Sequence, residues 1–552
     1  MLPIRIDGGR GLETIERLLL STPALLLLSF VSVIGMSFAM PLFDLDEGAF
    51  SEASREMVAS GNWVSTYLNG EPRHDKPILI YWLQATSLSL FGNHPFTFRL
   101  PSLIVAFAWI YIFFLFAKEI YNDRAARIGV WVLTCCWLST TMFKAATADT
   151  LLNFLIIFTF FEIYRYVCLP SNKKLLLIGV LLGLGFLTKG PIAIGLPALT
   201  CMISLMLTGQ TALFFRTIIH PFLWGTFLII VVPWHIASYY DQGTAFFEGF
   251  YLGHNVGRFS STMENHGGTP FYYLALLPFM LLPHTRLAIQ ALFKYKLDRK
   301  NFPQMYLLVW FLLTLTIFSF SKTQLPHYLL YGMTPVFLLL TYQLSLLKET
   351  SLRKTDIGIA LFALVFFCLL PYLFAPAVEH VKNPYDKATA ALGAELFSND
   401  YFWLPACLML FGLATLFLVQ LSALSRLLCT SLVIMLSMNF MLGPIAAGAQ
   451  QGPVAEAAAF IKNREITETK RNLVAYRIYM PSVSVYAERI VPNQHPQPGD
   501  IVFTKISATK KLAALNPEIE IEELFRRGGI ALYLYGNETH SGNVPARQQD
   551  NN

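Results

Sequence analysis

Between Pro41 and Tyr81 the chain gathers Asp44, Asp46, Glu47, Glu52, Glu56, Glu71 and Asp75, together with Arg55, Arg73, His74 and Lys76. Long apolar runs flank this stretch. Asp46-Glu47 stands at the end of the first run, and His74-Asp75-Lys76-Pro77 stands at the start of the next. Ionisable groups at a membrane edge are costly unless they are paired or used, so this loop is where chemistry is expected. A carboxylate there can take the proton of an incoming hydroxyl, and Asp46 and Glu47 are the candidates. Asp46 also precedes the helix-like AFSEASREMV and suits an N-cap; the two roles are compatible. Asp149, in KAATADTLL, opens a later apolar run from the same side, as a helix cap or as a second acid.

Cations matter as much as acids. Lys76, Lys189, Arg258 and Lys322 fall on the face where the bias of short loops disfavours them. Lys189 and Lys322 sit in the short turns TKGP and SKTQLPHY. Cations kept there point to a bound anion such as a lipid phosphate, with snorkelling to headgroups as the plain alternative. The loop GHNVGRFSSTMENHGG holds His254, Asn255, Arg258, Glu264 and His266. Asp75 with His254, joined by His74 or His266, could hold a divalent metal ion, although the spacing matches no local zinc motif. Ordinary hydrogen-bonding roles are equally open, and His74, Asn255, His266 and His327 are candidates for touching a sugar or an acceptor.

The elements that must position these groups are membrane helices. Of 552 residues, 55% are hydrophobic and 14% charged, and the mean hydropathy is +0.50. Apolar runs near the ~20 residues needed to cross a bilayer recur throughout. They predict about thirteen spans, beginning near Leu20, Phe96, Ile128, Leu151, Leu175, Ile192, Thr217, Phe271, Tyr306, His327, Ile357, Phe402 and Leu427. Basic residues then collect on one side. Examples are Arg5, Arg10 and Arg17 before the first span, Lys118, Arg124 and Arg127 after the second, and Lys294, Lys296, Arg299 and Lys300 after the eighth. That side is read as cytoplasmic, with the N-terminus inside and the acidic loop outside.

The run from Leu18 to Met40 reads as a retained helix rather than a removed signal peptide. The formal charge of +6 is explained by cytoplasmic Lys and Arg, so no nucleic-acid partner is expected. Seven cysteines lie in or beside apolar runs without metal or disulfide spacing. Gly183, Gly185 and Gly190 suggest close helix packing rather than a phosphate loop. The expected organisation is a membrane domain over residues 1–445, with outer loops at 41–95 and 235–269, and a small soluble α/β domain over 446–552. In that domain 454–462 is helical in pattern, while 472–476, 500–504 and 530–535 read as strands. The final SGNVPARQQDNN has a disordered composition. The expected state is a monomer.

The ordered set DLDEGAFSEASREMVASGNW, DKPILIYW, TADTLLNF, GFLTKGPIA, VPWHIA, GHNVGRF with HGGTPFYY, and FSFSKTQLPHYLL resembles the polytopic glycosyltransferases that use lipid-linked sugars. The nearer likeness is to the bacterial lipid A aminoarabinose transferases, and the more distant one is to protein O-mannosyltransferases. It runs from about Pro41 to Leu347. The resemblance implies a membrane glycosyltransferase C fold, an active site at the outer leaflet, and an undecaprenyl (polyprenyl) phosphate sugar donor. It implies that Asp46 is the catalytic acid of the first loop and Asp149 a second essential acid. Lys76 would match the lysine before the proline, with Asp75 where relatives often have Glu. His254, Arg258 and Tyr328 would surround the phosphate and a possible metal. The chain departs from the pattern in two places. Ala49-Phe50 stands where the aminoarabinose transferases have Arg-Tyr, and His74 stands where they have an aromatic before Glu-Lys-Pro. Both lie in the active-site loop and bear on the sugar and the acceptor rather than on the reaction class.

The expected reaction moves a sugar to an envelope acceptor such as lipid A or lipopolysaccharide on the periplasmic face of a bacterial inner membrane, by direct displacement with inversion. The alternatives are a protein O-glycosyltransferase with the same donor type, or a transporter of lipid-linked sugar. A transporter should place polar groups near mid-membrane and often shows internal repeats, and the sequence has little of either. An O-antigen ligase or polymerase would carry a different motif set.

Overall fold

The structure is a computed structural model that describes residues 8–256, 268–294, 298, 300–348, 353–418, 421–467 and 471–536. It is mostly helical, and its long helices start where sequence and capping chemistry agree. Asn122 accepts the Ala125 N–H and opens the helix Asp123–Cys135, and Thr147 accepts the Asp149 N–H at the head of Ala148–Cys168. His94 caps Pro95–Ile120, whose proline at the first turn has no N–H to lose.

Among the described residues six helices are long and apolar enough to cross a membrane: Pro95–Ile120, Ala148–Cys168, Pro221–Gln242, Phe302–Ser319, Lys354–Leu373 and Ala423–Gln450. The number rises to nine if three bent pairs each count as one span, with bends of 73°, 115° and 66°. This differs from the sequence count of about thirteen, for a physical reason. Thr22–Ile34 has only 13 residues and Ile192–Leu207 only 16, so each falls short of a ~30 Å hydrocarbon layer at 1.5 Å per residue. Hydropathy also cannot see a bend such as the one between Tyr272–Met280 and Thr285–Phe293.

The helices pack through aromatic pairs and close backbone approaches. Phe116 stacks on Phe161, and Phe160 stacks on Trp310, each with ring centroids 3.8 Å apart. A side chain at Gly183 would press on Ile230, and one at Gly185 on Ala193, so these glycines let helices meet closely. Gly190, at φ +73°, ends the helix Asn172–Lys189 in a conformation that disfavours any side chain. Large apolar side chains such as Ile229 and Phe30 remain exposed along these helices, as a lipid-facing surface requires. All seven cysteines are free.

Two small sheets complete the chain. β1 (Tyr67–Leu68) and β2 (Glu71–Pro72) form a hairpin within the first loop, turned by Asn69 and Gly70 at φ +56° and +82°. That pair of positive φ values is what a two-residue hairpin turn asks of an Asn-Gly sequence. From Gly452 onward a helix, Gly452–Thr467, lies against a four-stranded sheet ordered β3-β4-β6-β5. The strands are β3 (Leu473–Tyr476), β4 (Ile501–Lys505), β5 (Ile521–Arg527) and β6 (Ile530–Tyr535). β3 and β4 run parallel and the other pairings are antiparallel. Sequence reading missed β5, because its edge position leaves IEELFRR polar and largely uncovered. The 537–552 tail lies outside the described residues.

Candidate active site

The first loop is built on a helix, Asp46–Ser60, that starts with two acids at its positive end. The two have opposite surroundings. Asp46 is exposed, and its carboxylate makes no hydrogen bond among the described residues. Glu47 is buried and fully engaged. It takes Arg99 Nε at 2.9 Å and Nη2 at 2.7 Å, the Phe43 N–H at 2.8 Å and the Ala146 N–H at 2.7 Å. The remaining Arg99 donors go to the carbonyls of Ser37, Met40 and Pro41. The pair therefore fastens the first loop to the turn that leads into Asp149. Gln84 adds a second fastening, donating to the Ala146 carbonyl at 3.0 Å while it accepts from Ser54 at 2.9 Å.

Further along the same helix Glu52 pairs with Arg55 at 2.6 Å. Burial pushes the Glu52 carboxyl up to about 8, against the pull of Arg55. Glu56 accepts the N–H groups of Asn69 and Gly70 at 2.5 and 3.1 Å and so anchors the hairpin. These acids hold structure, and Asp46 is left facing outward.

The hairpin delivers a cationic cluster. Asp75 receives Lys76 on one oxygen at 2.5 Å and Arg73 on the other at 2.8 Å. Arg73 also donates to the Tyr81 hydroxyl at 3.1 Å and lies 5.6 Å from the Phe50 ring centroid. Burial opposes the Arg73 charge, but Tyr81 and Asp75 outweigh it and raise the guanidinium above its ordinary value. His74 bonds Gln242 at 3.2 Å and packs against Gly249, where a side chain would collide with the imidazole.

A second cluster surrounds Asp149. One of its oxygens is met by Lys189 at 2.5 Å and by the Tyr331 hydroxyl at 2.5 Å, with His327 Nε2 at 3.5 Å. The Lys189 ammonium also lies 4.9 Å from the centroid of the buried Tyr328 ring. Lys322 is exposed in the neighbouring turn. The side chains of His254 and Asn255, and residues Arg258 and His266, lie outside the described residues. Of the residues expected to hold a metal, Asp75 and His74 are described; both Asp75 oxygens face cations and His74 bonds Gln242, a poor setting for a divalent ion. Among the described residues no three His, Cys, Asp or Glu side chains converge on a point.

Arg99, Arg73 and Tyr331 were not singled out from sequence as site residues. An arginine at the head of an apolar run was a signal for Arg99. Tyr331 stands three residues after Tyr328 on the same helical face. Arg73 was only one charge among many in its loop.

The chain is similar to known proteins in sequence and in fold. The dolichyl-phosphate-mannose-protein mannosyltransferase family model matches residues 75–236. The undecaprenyl phosphate-alpha-4-amino-4-deoxy-L-arabinose arabinosyl transferase of Aeromonas hydrophila is 29% identical over 370 residues, covering 65% of this chain and 67% of the relative. The protein of that name from Pseudomonas aeruginosa is 26% identical over 389 residues, covering 66% and 68%. The crystal structure of ArnT from Cupriavidus metallidurans bound to undecaprenyl phosphate superposes with a TM-score of 0.76 at 19% identity, over 94% of this chain and 97% of that one. The chain thus has the fold of ArnT and is a membrane glycosyltransferase similar to the aminoarabinose transferases.

Proposed function

We propose that the chain transfers a sugar from a polyprenyl (undecaprenyl) phosphate donor to an envelope acceptor, lipid A or lipopolysaccharide, on the periplasmic face of the inner membrane. The topology that goes with this reading has about thirteen transmembrane helices, short and bent apolar helices included, with the N-terminus inside and the 446–552 unit outside. The observation that carries the reading is the contrast within the first-loop helix: the open carboxylate of Asp46 stands beside Glu47, Glu52 and Glu56, each of them bound, with a cationic hairpin in the same loop. The relatives named as undecaprenyl-phosphate-dependent arabinosyl transferases, and the ArnT structure bound to undecaprenyl phosphate, support the donor class.

In the proposed step the acceptor oxygen attacks the anomeric carbon. The bond from that carbon to the phosphate oxygen breaks, polyprenyl phosphate departs, and the acceptor proton passes to Asp46. Where the acceptor is a phosphate no strong base is needed, and Asp46 then positions the sugar. Lys76, Lys189, Arg258, Lys322 and Tyr328 stabilise the departing phosphate as its charge grows. Asp149 holds Lys189 in line. His74, Asn255, His266 and His327 are assigned to the sugar or acceptor. Single displacement makes the transfer inverting. A metal at Asp75 and His254 is not used in this step.

A protein acceptor is the second reading, favoured by the mannosyltransferase family match over residues 75–236. Mass spectrometry of the whole envelope tests both, comparing cells carrying the wild-type protein with cells carrying Asp46→Asn at matched abundance. One sugar-sized mass should vanish from lipid A or lipopolysaccharide in the variant. Loss from a protein instead would select the second reading. No change in any component, with the variant folded and abundant, would overturn the assignment of Asp46.

A further inference from the structure

Arg73 is held by Tyr81, Asp75 and Phe50, with Tyr479 also acting on its charge. Its Nε donates to Tyr81 and one Nη2 proton to Asp75, and its plane lies over Phe50. Its Nη1 has no partner among the described residues, although the side chain is only 13% exposed. A guanidinium fixed in this way has already lost most of its rotamer freedom and presents a planar donor edge, the geometry that matches a phosphate. Asp75 is the acid that faces it, while Glu52 is taken by Arg55, Glu56 by the hairpin amides, and Asp241 by Ser65 and Asn62. On the adjoining helix the residue two places after Asp46-Glu47, where the resemblance leads one to expect arginine, is the buried Ala49. The next residue, Phe50, is the one that Arg73 covers.

We propose that Arg73 is a phosphate-binding residue for the lipid carrier, so that the hairpin supplies a cation which the first-loop helix of this chain lacks. This rests on the polyprenyl-phosphate reading above. It places the loop's phosphate contact on two neighbouring side chains, Arg73 and Lys76, that share one carboxylate. It also gives Asp75 a role, since the acid aligns both cations toward one ligand and takes no part in the transfer itself.

The test compares binding of undecaprenyl phosphate and undecaprenol to the purified full-length protein in detergent. Wild type should prefer the phosphate. Arg73→Gln should weaken undecaprenyl phosphate binding about 10- to 100-fold, the loss of one charge-assisted contact, and leave undecaprenol binding unchanged. If Arg73→Gln does not fold, Arg73→Lys keeps the charge but loses the fork, and should weaken only the phosphate lipid. Equal loss for both lipids would mean that Arg73 merely props the hairpin, and an unchanged preference for phosphate would mean that it does not touch the ligand; either result overturns the proposal. Displacement of undecaprenyl phosphate by a matched amount of phosphatidylglycerol would assign the site to bilayer headgroups and also overturns it. A wild-type protein without any preference for the phosphate would refute the donor reading itself, a failure distinct from that of Arg73 alone.

Discussion

Removing Arg99 should loosen the anchoring of the first loop before it changes any chemistry. All five guanidinium protons are used, two on Glu47 and three on the carbonyls of Ser37, Met40 and Pro41. Arg99→Met keeps most of the volume but strands a carboxylate that is 4% exposed, together with three carbonyls. Each orphaned neutral acceptor costs about 1–3 kcal/mol, and these costs overlap. Breaking one side of a buried ion pair costs about 3–5 kcal/mol, and that is the expected destabilisation. Glu47→Gln keeps one acceptor and removes the charge, so it should cost less. The double variant Glu47→Gln/Arg99→Met should cost less than the two single losses added together, because no buried charge remains uncompensated. Denaturant or thermal unfolding in detergent, run as a double-mutant cycle, measures this directly. A loss under about 1 kcal/mol for Arg99→Met, or a coupling below about 0.5 kcal/mol, lies outside what a buried, fully bonded pair can give. Either would refute the view that Glu47 is an anchor. It would return Glu47 to the list of candidate bases.

The other predictions separate chemistry from scaffold. Asp46→Asn should lower turnover about 10²- to 10⁴-fold, the range of a general base, with unfolding unchanged; an equal fall in stability would contradict the open position of Asp46. Lys189→Met should destabilise the protein by about 3–5 kcal/mol, because it leaves Asp149 buried without its cation, and adding Asp149→Asn should restore stability in an unfolding assay but not turnover. Burial pushes the Asp44 carboxyl from 3.8 up to about 7, with the Ser482 hydroxyl and N–H pulling it down and the Glu47 charge adding to the rise. The docked state therefore holds this proton more tightly than the separated state, so docking of the helix Ser482–Ala487 is strongest below pH about 4 and weakens as pH climbs to about 7. The groups facing Asp44 are Ser482, Gln451, Glu47, Tyr385 and Tyr486. Hydrogen exchange of the 482–487 amides, corrected for intrinsic rates, should be faster at pH 8 than at pH 5.5 in wild type and should lose that difference in Asp44→Asn; equal protection at both pH values in wild type would sink the prediction.

The helices were legible because their cause is local. Apolar length and caps such as Asn122 and Thr147 mark them in the sequence itself. The Asn69-Gly70 turn was equally readable in principle, since its backbone demands those two residue types. What sequence could not show is which charges meet. Lys189 and Asp149 are 40 residues apart, and Tyr331 joins them from 182 residues beyond Asp149. Glu47 and Asp46 are neighbours with the same chemistry, and the distant Arg99 and Ala146 N–H, with the Phe43 N–H, make them different. The docking of the C-terminal unit was also invisible. Ser482 bonds Asp44, Ser484 bonds Asn69, and the Tyr486 hydroxyl accepts the Leu42 N–H.

Those last contacts change how the first loop should be understood. Among the described residues the Asp46 side chain has no bonded neighbour, so its position must be set by the backbone on either side of it. Two residues before it, Asp44 is bonded by the Ser482 N–H at 3.0 Å and by the Ser482 hydroxyl. Immediately after it, Glu47 is bonded by Arg99. Just after them Gly48 lies so close to Asp44 and Ser482 that a side chain there would strike both. An exposed carboxylate on a loose loop would sample many positions, and reaction geometry penalises that freedom heavily. Here the carboxylate is exposed while its backbone is clamped from the membrane side by Arg99 and from the C-terminal side by Ser482. The residues that keep Asp46 in place are thus the buried, fully bonded ones, while the Asp46 carboxylate itself has no hydrogen-bond partner among the described residues.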